Sequence, residues 1–180
     1  MFPNSIETER LLLSQPKIAD AGAIYRVYGH DPRVTRHLSW SPQRSIADAE
    51  KFLRELAKRI KNETEFAWAI TDRSTDELCG MIGLILNPPG ATMGYCLAHE
   101  VWGRGLATEA ARAIVPLVWK HPQLQRLEAY CHTEHLRSAR VLEKAGLRYV
   151  SIAREQSVLP AHGLHAQDML RYRLERPHGC

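Results

Sequence analysis

Two glycines bracket an arginine in segment 101–110 (VWGRGLATEA), a spacing suited to anion binding. A strand-like pattern at 92–97 precedes this segment, and apolar residues at helical spacing follow it. Gly103 and Gly105 are therefore predicted at a helix N-terminus, where unpaired backbone N–H groups and the helix dipole attract phosphate. Ordinary tight turns contain the same spacing. Taken alone, the segment indicates either an anion site or a turn.

The elements that must position this loop follow an uneven order. Apolar runs separated by turn residues predict seven strands, at 10–14, 65–71, 78–86, 92–97, 126–132, 148–156 and 165–174. Apolar stripes of helical period predict four helices, at about 20–28, 45–61, 106–119 and 136–145. Ser45 and Asp48 predict a capping box on the second helix. The order is not the regular alternation of a dinucleotide-binding fold, and the loop lacks that fold's third glycine.

Length and composition are those of an ordinary globular protein. The chain has 180 residues, 44% of them hydrophobic and 24% charged, which predicts a single domain over 1–180 with its core at about 8–175. The net charge of +4 comes without a dense basic run, so it favours a small polyanion over DNA. Neither a membrane-length apolar segment nor a signal-peptide pattern is found, which predicts a cytoplasmic protein without membrane contact.

The cysteines and histidines do not have the spacing of metal ligands. Cys79, Cys96, Cys131 and Cys180 are widely spaced, and we expect them to be reduced thiols, the first three within strands. The nine histidines form neither an HExxH motif nor a Cys/His pair at ligand spacing. The sequence therefore predicts no metal site.

Four motifs along nearly the whole chain resemble one known family. They are IETERLLL at 6–13, DPRVTRHLSW at 31–40, MGYCL at 93–97 with WGRGLATEA at 102–110, and SARVLEKAGL at 138–147. In this order they resemble the GNAT acetyl-CoA-dependent N-acetyltransferases, in the branch related to the RimJ and RimL ribosomal-protein acetyltransferases. The resemblance implies an α/β GNAT fold in one domain. Its mixed, mostly antiparallel sheet would have seven strands, splayed between the fourth and fifth (92–97 and 126–132), with about four flanking helices.

The resemblance also implies an acetyl-CoA site in the splay. The loop amides would bind the pyrophosphate, and the backbone of Leu97 and Ala98 would meet the pantetheine and the thioester carbonyl. His135 takes the place of an asparagine that usually contacts CoA in the family, and imidazole can still form a hydrogen bond. The implied cofactor-binding residues are Leu97, Ala98, Trp102, Gly103, Arg104, Gly105, Leu106, Ala107, Thr108, His135 and Ser138.

Catalytic assignments from the resemblance stay open. Many members of the family protonate the departing thiolate with a tyrosine, and Leu142 stands at its position here. Ser138 matches a serine that has this role in the RimL-like branch. The alternative is that Ser138 only caps the helix or lies in its first turn. His37 is a candidate base or a loop-packing histidine, and Glu100 is a second candidate base or part of a polar turn. Trp40 either walls the acceptor pocket or closes the core beneath it.

The sequence as a whole predicts an acyltransferase. It would move acetyl directly from acetyl-CoA to a primary amine, without a covalent enzyme intermediate and without a metal; a protein N-terminus is the acceptor favoured by resemblance. Three alternatives stay open: a small-molecule amine such as an antibiotic or polyamine as acceptor, a non-catalytic CoA-binding domain, and a nucleic-acid-binding module. The closing strands could also pair across a homodimer.

Overall fold

A mixed eight-stranded sheet organises the computed structural model, which describes residues 2–177. Its strand order is β1-β2-β3-β4-β5-β6-β8-β7. The strands are β1 Ser5–Glu7, β2 Leu11–Ser14, β3 Glu65–Asp72, β4 Glu77–Asn87, β5 Gly90–Leu97, β6 Arg126–His132, β7 Arg148–Val158 and β8 Ala166–Glu175. The α-helices are α1 Ala21–Ile24, α2 Pro32–Thr35, α3 Ile46–Lys61, α4 Leu106–Val118 and α5 Leu136–Lys144. Cys180, expected to be a reduced thiol, lies outside the described residues.

Two short elements account for the difference between the predicted and observed counts. The first predicted strand is preceded by β1, which pairs antiparallel with β2 through a turn where the Thr8 amide donates to the Leu11 carbonyl (2.9 Å). Three residues are too few to show a strand period. The second addition is α2, which the Asp31 side chain caps by accepting from the Arg33 amide (2.8 Å). The prediction of seven strands and about four helices thus becomes eight and five in the described chain.

The predicted splay is confirmed. Every neighbouring pair of strands is antiparallel except β5 and β6, which run parallel. These two are paired only at their beginnings, Gly90 with Arg126 through Thr92 with Glu128. Beyond that point they separate, so the carboxyl-terminal half of β5 has no strand partner on its β6 side. A wedge-shaped opening in the sheet results.

Two apolar clusters fix the helices on the sheet. On α4, the buried residues include Ala110, Ile114 and Val118, which join the larger core. On α3, Leu53 and Leu56 join a second core with α1. Burying a leucine contributes about 1.5–3 kcal/mol, so both helices have fixed positions against the strands they cover.

The start of α3 follows the predicted capping pattern. The Ser45 amide donates to the Asp48 carboxylate at 3.2 Å, which satisfies one of the free N–H groups at that helix end. No helix in the described part of the chain is both long and apolar enough to cross a membrane.

Candidate active site

A cleft of about 640 Å³ lies between the free half of β5, the start of α4 and one face of α5. This volume is in the range of small-molecule and cofactor sites. The predicted site residues that line it are Leu97, Trp102, Gly103, Gly105, Leu106, Ala107, Thr108, His135 and Ser138. The sheet opening and the glycine loop therefore form one continuous site.

The glycine loop has the backbone conformation of an anion cradle. Gly103 and Gly105 have φ values of +78° and +80°, a region that is costly for residues with a Cβ. The first helical hydrogen bond at this end of α4 runs from the Glu109 amide to the Gly105 carbonyl (3.1 Å). The amides of residues 106–108 precede it and have no partner within the helix. They are the donors that a phosphate at a helix N-terminus requires.

Residues near the N-terminus hold this loop in place. Glu109 accepts hydrogen bonds from the Thr8 hydroxyl (2.6 Å), the Arg10 amide (2.8 Å) and Arg10 Nε (2.7 Å). Arg10 also donates to the Arg104 carbonyl (3.0 Å). Burial raises the pKa of Glu109, but the bonds from Thr8 and Arg10 outweigh it, so the pKa is lowered overall. No local sequence pattern indicates this contact, because about a hundred residues separate its partners.

The side chain of Arg104 does not line the cleft. It reaches Asp72 at the end of β3, with 3.1 Å between guanidinium and carboxylate. The predicted cofactor contact of Arg104 is thereby limited to its backbone. Positive charge in the cleft comes instead from Arg137, Arg140 and Lys144 on α5, which line its wall and were missed.

The end of β5 offers one of the two predicted backbone contacts. The Ala98 amide donates to the Cys79 carbonyl (2.8 Å), and Ala98 lines a different pocket, so this amide is not free to contact a ligand in the cleft. Backbone N–H groups of successive residues in a strand point to opposite edges of that strand. Because the Ala98 amide points to β4, the Leu97 amide points to the opening. Trp102 Nε1 donates to the Leu97 carbonyl (2.8 Å), which joins the strand end to the loop.

Ser138 faces the cleft from the first turn of α5, beside a tyrosine that the sequence analysis placed only in a strand. The Tyr95 hydroxyl lies 2.7 Å from Ser138 Oγ and 3.2 Å from the Ser138 carbonyl oxygen. Burial raises the pKa of Tyr95 above its ordinary value of about 10, so the phenol keeps its proton at neutral pH. Leu142, at the family's tyrosine position, is buried in the core.

His37 lies among other histidines instead of alone in the acceptor loop. Its ring centroid is 4.5 Å from that of His135, which lines the cleft, and 5.3 Å and 5.1 Å from those of His132 and His162. Burial, followed by the neighbouring histidines, lowers the pKa of His37 to about 4. Burial and His132 also lower the pKa of His135. Both rings are neutral at physiological pH.

Two other predicted residues lie away from the cleft wall. The Glu100 carboxylate is 3.1 Å from the Arg33 guanidinium and lines a separate pocket with it. Trp40 packs against the second core, which supports its interpretation as a core-closing residue. The geometry therefore does not bring Glu100 or Trp40 to the CoA cleft.

The three thiols in the described part of the chain are poor nucleophiles, because burial raises the pKa of each. Burial raises the pKa of Cys96 to about 12 and that of Cys131 to about 11, so neither is a thiolate at neutral pH. Cys79, Cys96 and Cys131 are free thiols, as expected. Direct transfer without a cysteine intermediate is consistent with this.

Comparisons with known proteins identify the family. The profile of the acetyltransferase (GNAT) domain matches residues 10–148. The uncharacterized N-acetyltransferase YoaA of Bacillus subtilis (strain 168) is 32% identical over 158 residues, covering 86% of this chain and 88% of YoaA. The microcin C7 self immunity acetyltransferase MccE, solved with acetyl-CoA and AMP, is 17% identical, with a TM-score of 0.86 over 97% of each chain. The ribosomal L7/L12 alpha-N-protein acetyltransferase RimL, solved with coenzyme A, is 16% identical, with a TM-score of 0.84 over 95% of this chain and 97% of RimL.

The splayed sheet with a helix N-terminus at its opening defines an acyltransferase of the N-acetyltransferase class. The chain belongs to the GNAT acetyltransferase family. Its structural neighbours include RimL and ribosomal-protein acetyltransferases, which share the fold of this chain.

Proposed function

We propose that this protein transfers the acetyl group of acetyl-CoA to the α-amine of a protein or peptide N-terminus. The observation that carries the choice of acceptor is the charge of the cleft wall. Its described residues include Arg137, Arg140 and Lys144 but no aspartate or glutamate. The site is therefore suited to a polyanionic donor and has no carboxylate base for the acceptor.

The absence of a carboxylate from this described wall favours an amine that loses its proton easily. An α-amine with a pKa near 8 costs about 1 kcal/mol to deprotonate at pH 7, whereas a lysine amine near 10.4 costs roughly 4.6 kcal/mol. The difference is more than two orders of magnitude in the fraction of reactive amine. A cleft without a strong base therefore selects the α-amine, and the amine proton passes to water.

Donor binding follows from the loop and α5. The amides of Gly103 to Thr108 bind the pyrophosphate at the helix N-terminus. The cations on α5 attract the remaining phosphate charge. His135 offers its ring at the edge of the same cleft. The loop amides and the cations on α5 thus both match the phosphates of acetyl-CoA.

Two hydrogen-bond donors, the Leu97 amide and the Ser138 hydroxyl, assist the transfer of the acetyl group. The amine forms a bond to the thioester carbon, and the Leu97 amide stabilises the negative charge that develops on the carbonyl oxygen. The C–S bond then breaks, Ser138 passes its proton to the departing sulfur, and water returns the proton released by the amine to Ser138. When Tyr95 donates to Ser138 Oγ, the serine proton is left free for this purpose. The products are the N-acetylated acceptor and the CoA thiol.

The acceptor is tested with short peptides that differ only in their first residue. The matched control is a lysine-containing peptide with a blocked N-terminus, and CoA thiol release is the readout. We expect turnover with free N-termini and at least tenfold lower kcat/KM with the blocked peptide. Equal rates with both would contradict the α-amine assignment.

Other acceptors are distinguished in the same assay. The two structural neighbours compared above act in different settings, microcin immunity and ribosomal-protein modification. The fold alone therefore does not choose between them. Turnover with polyamines or aminoglycosides but not peptides would assign a small-molecule acceptor. Thermal stabilisation by acetyl-CoA without thiol release from any substrate would assign a non-catalytic CoA-binding domain.

The organisation of the chain supports action as one unit. The eight strands form one continuous sheet, and its strand β5 lines the cleft. We therefore propose that residues 1–180 form a single catalytic domain with its core at about 8–175. A reaction that consumes acetyl-CoA also fits a cytoplasmic location.

A further inference from the structure

Three histidines from distant parts of the chain converge beside the cleft. His37 follows α2, His132 is the last residue of β6, and His162 ends the turn Pro160–His162 between β7 and β8. One ring nitrogen from each lies within 4.8 Å of the other two. His132 is buried and the other two are half-buried. Such a set of nitrogens is a transition-metal ligand set.

The spacing is close to that of a metal site. A tetrahedral ion with Zn–N bonds of about 2.0–2.1 Å holds its nitrogens roughly 3.3 Å apart and the imidazole centroids roughly 5.2 Å apart. His162 Nε2 is already 3.2 Å from His37 Nδ1. The ring centroid of His37 lies 5.3 Å from that of His132 and 5.1 Å from that of His162. The remaining pair, His132 and His162, is 4.3 Å apart and must open by about 1 Å.

Binding replaces only weak polar contacts. The Glu134 amide lies 3.3 Å from His132 Nδ1, and His37 and His162 approach each other at 3.2 Å. Both distances exceed the usual N–H···O length of about 2.9–3.0 Å. Coordination through Nε2 of His132 requires the proton on Nδ1, so the Glu134 contact is lost.

We propose that His37, His132 and His162 bind one divalent transition-metal ion of the Zn²⁺ type. Three protein nitrogens leave one position of a tetrahedral ion open, as in metal sites that bind a further ligand. His135 stacks on His37 and lines the cleft, so this site adjoins the donor site on the side where β5 and β6 have separated. These ligands form no sequence motif, because up to 125 residues separate them, and no metal was therefore predicted.

The test is metal binding by the full chain, without a histidine tag and after removal of bound metal with a chelator. Zn²⁺ is titrated calorimetrically, and Co²⁺ is used as a spectroscopic probe of coordination. We expect one Zn²⁺ per chain and a visible Co²⁺ spectrum typical of four-coordinate geometry. The readouts do not involve acetyl transfer, so their outcome is independent of the proposed function.

Matched variants locate the site. His162→Ala should weaken Zn²⁺ binding by about a hundredfold or more, while His165→Ala, an exposed histidine of the same loop, should bind as the wild type does. His37→Ala provides the second ligand variant if His162→Ala does not fold. The proposal is overturned if the wild type binds no stoichiometric Zn²⁺, or if the folded ligand variants bind it as tightly as His165→Ala does. In that case the rings are only stacked side chains.

Discussion

The Tyr95 hydroxyl lies 2.7 Å from Ser138 Oγ, across the opening between β5 and α5. This contact joins the two walls of the cleft at the point where Ser138 faces the donor. Burial keeps the phenol protonated, so Tyr95 retains a proton that it can donate to Ser138 Oγ. We regard Tyr95 as a positioning residue, since it acts on the sulfur only through Ser138.

Tyr95→Phe should lower kcat about tenfold and leave the KM for acetyl-CoA nearly unchanged, because the loss of one hydrogen bond misorients the serine proton. Ser138→Ala should lower kcat by about a hundredfold. Steady-state kinetics with a peptide acceptor measures both. Tyr130→Phe is the matched control, since its hydroxyl contacts Glu128 outside this cleft.

The double variant separates positioning from simple damage to the fold. If Tyr95 acts through Ser138, Tyr95→Phe should cost nothing further once Ser138 is alanine. If the fold-decreases in kcat of the two single variants multiply in the double variant, the two residues act independently. A raised KM for acetyl-CoA in Tyr95→Phe would instead indicate a distorted cleft.

Glu109 links the acid stability of the protein to the loop. Its pKa is lowered in the folded state, so its stabilising effect is present above the unfolded-state pKa of about 4.3 and is lost as pH falls through the lower folded value. Glu109→Gln should therefore unfold at a lower temperature than wild type at pH 7, and the difference should shrink below pH 4. Thermal unfolding at several pH values measures this difference.

A control for Glu109→Gln is available nearby. Glu9→Gln changes an exposed glutamate of the same turn and should leave the melting curves unchanged. A pH-independent gap between Glu109→Gln and wild type would mean that packing, and not the ionised carboxylate, holds the loop. The same Glu109 variant should bind acetyl-CoA more weakly, because Arg10 loses its anchor beneath the Arg104 carbonyl.

Gly105→Ala tests whether the loop conformation is needed for donor binding. At φ = +80° an alanine costs about 1–2 kcal/mol, and the loop relieves that strain by moving the amides of α4. We expect lower thermal stability and a several-fold higher Kd for acetyl-CoA by calorimetry. Gly94→Ala is the matched control, since a Cβ at Gly94 meets nothing within 4 Å and its φ is not positive. Unchanged binding by Gly105→Ala would remove the anion-cradle interpretation.

Local signals in the sequence predicted the loop, the family resemblance implied the splay, and long-range contacts account for what was missed. Gly103 and Gly105 could be recognised because helix starts and left-handed turns depend on adjacent residues. The succession of strands and helices along the chain also followed from local periods. The contact between Tyr95 and Ser138 spans 43 residues and leaves no pattern in either segment. The clustering of His37 with His132 and His162 is likewise set only by tertiary packing.

The cations on α5 provide the last prediction. Arg137, Arg140 and Lys144 line the cleft, and none of them forms an ion pair with another described residue. Their charge is therefore available to the phosphates of the donor. Arg140→Gln should raise the KM for acetyl-CoA about twofold to fivefold, with kcat unchanged, because an exposed charge pair contributes up to about 1 kcal/mol.

Salt provides the control for this effect. Since exposed charges are screened within about 10 Å at 0.1 M salt, the gap in KM between wild type and Arg140→Gln should narrow as salt rises. Arg54→Gln, on α3 and paired with Glu50, should match wild type at every salt concentration. A gap that is independent of salt would show that Arg140 contributes by packing or by a direct hydrogen bond. The assignment of α5 as the phosphate-attracting wall of the cleft would then be wrong.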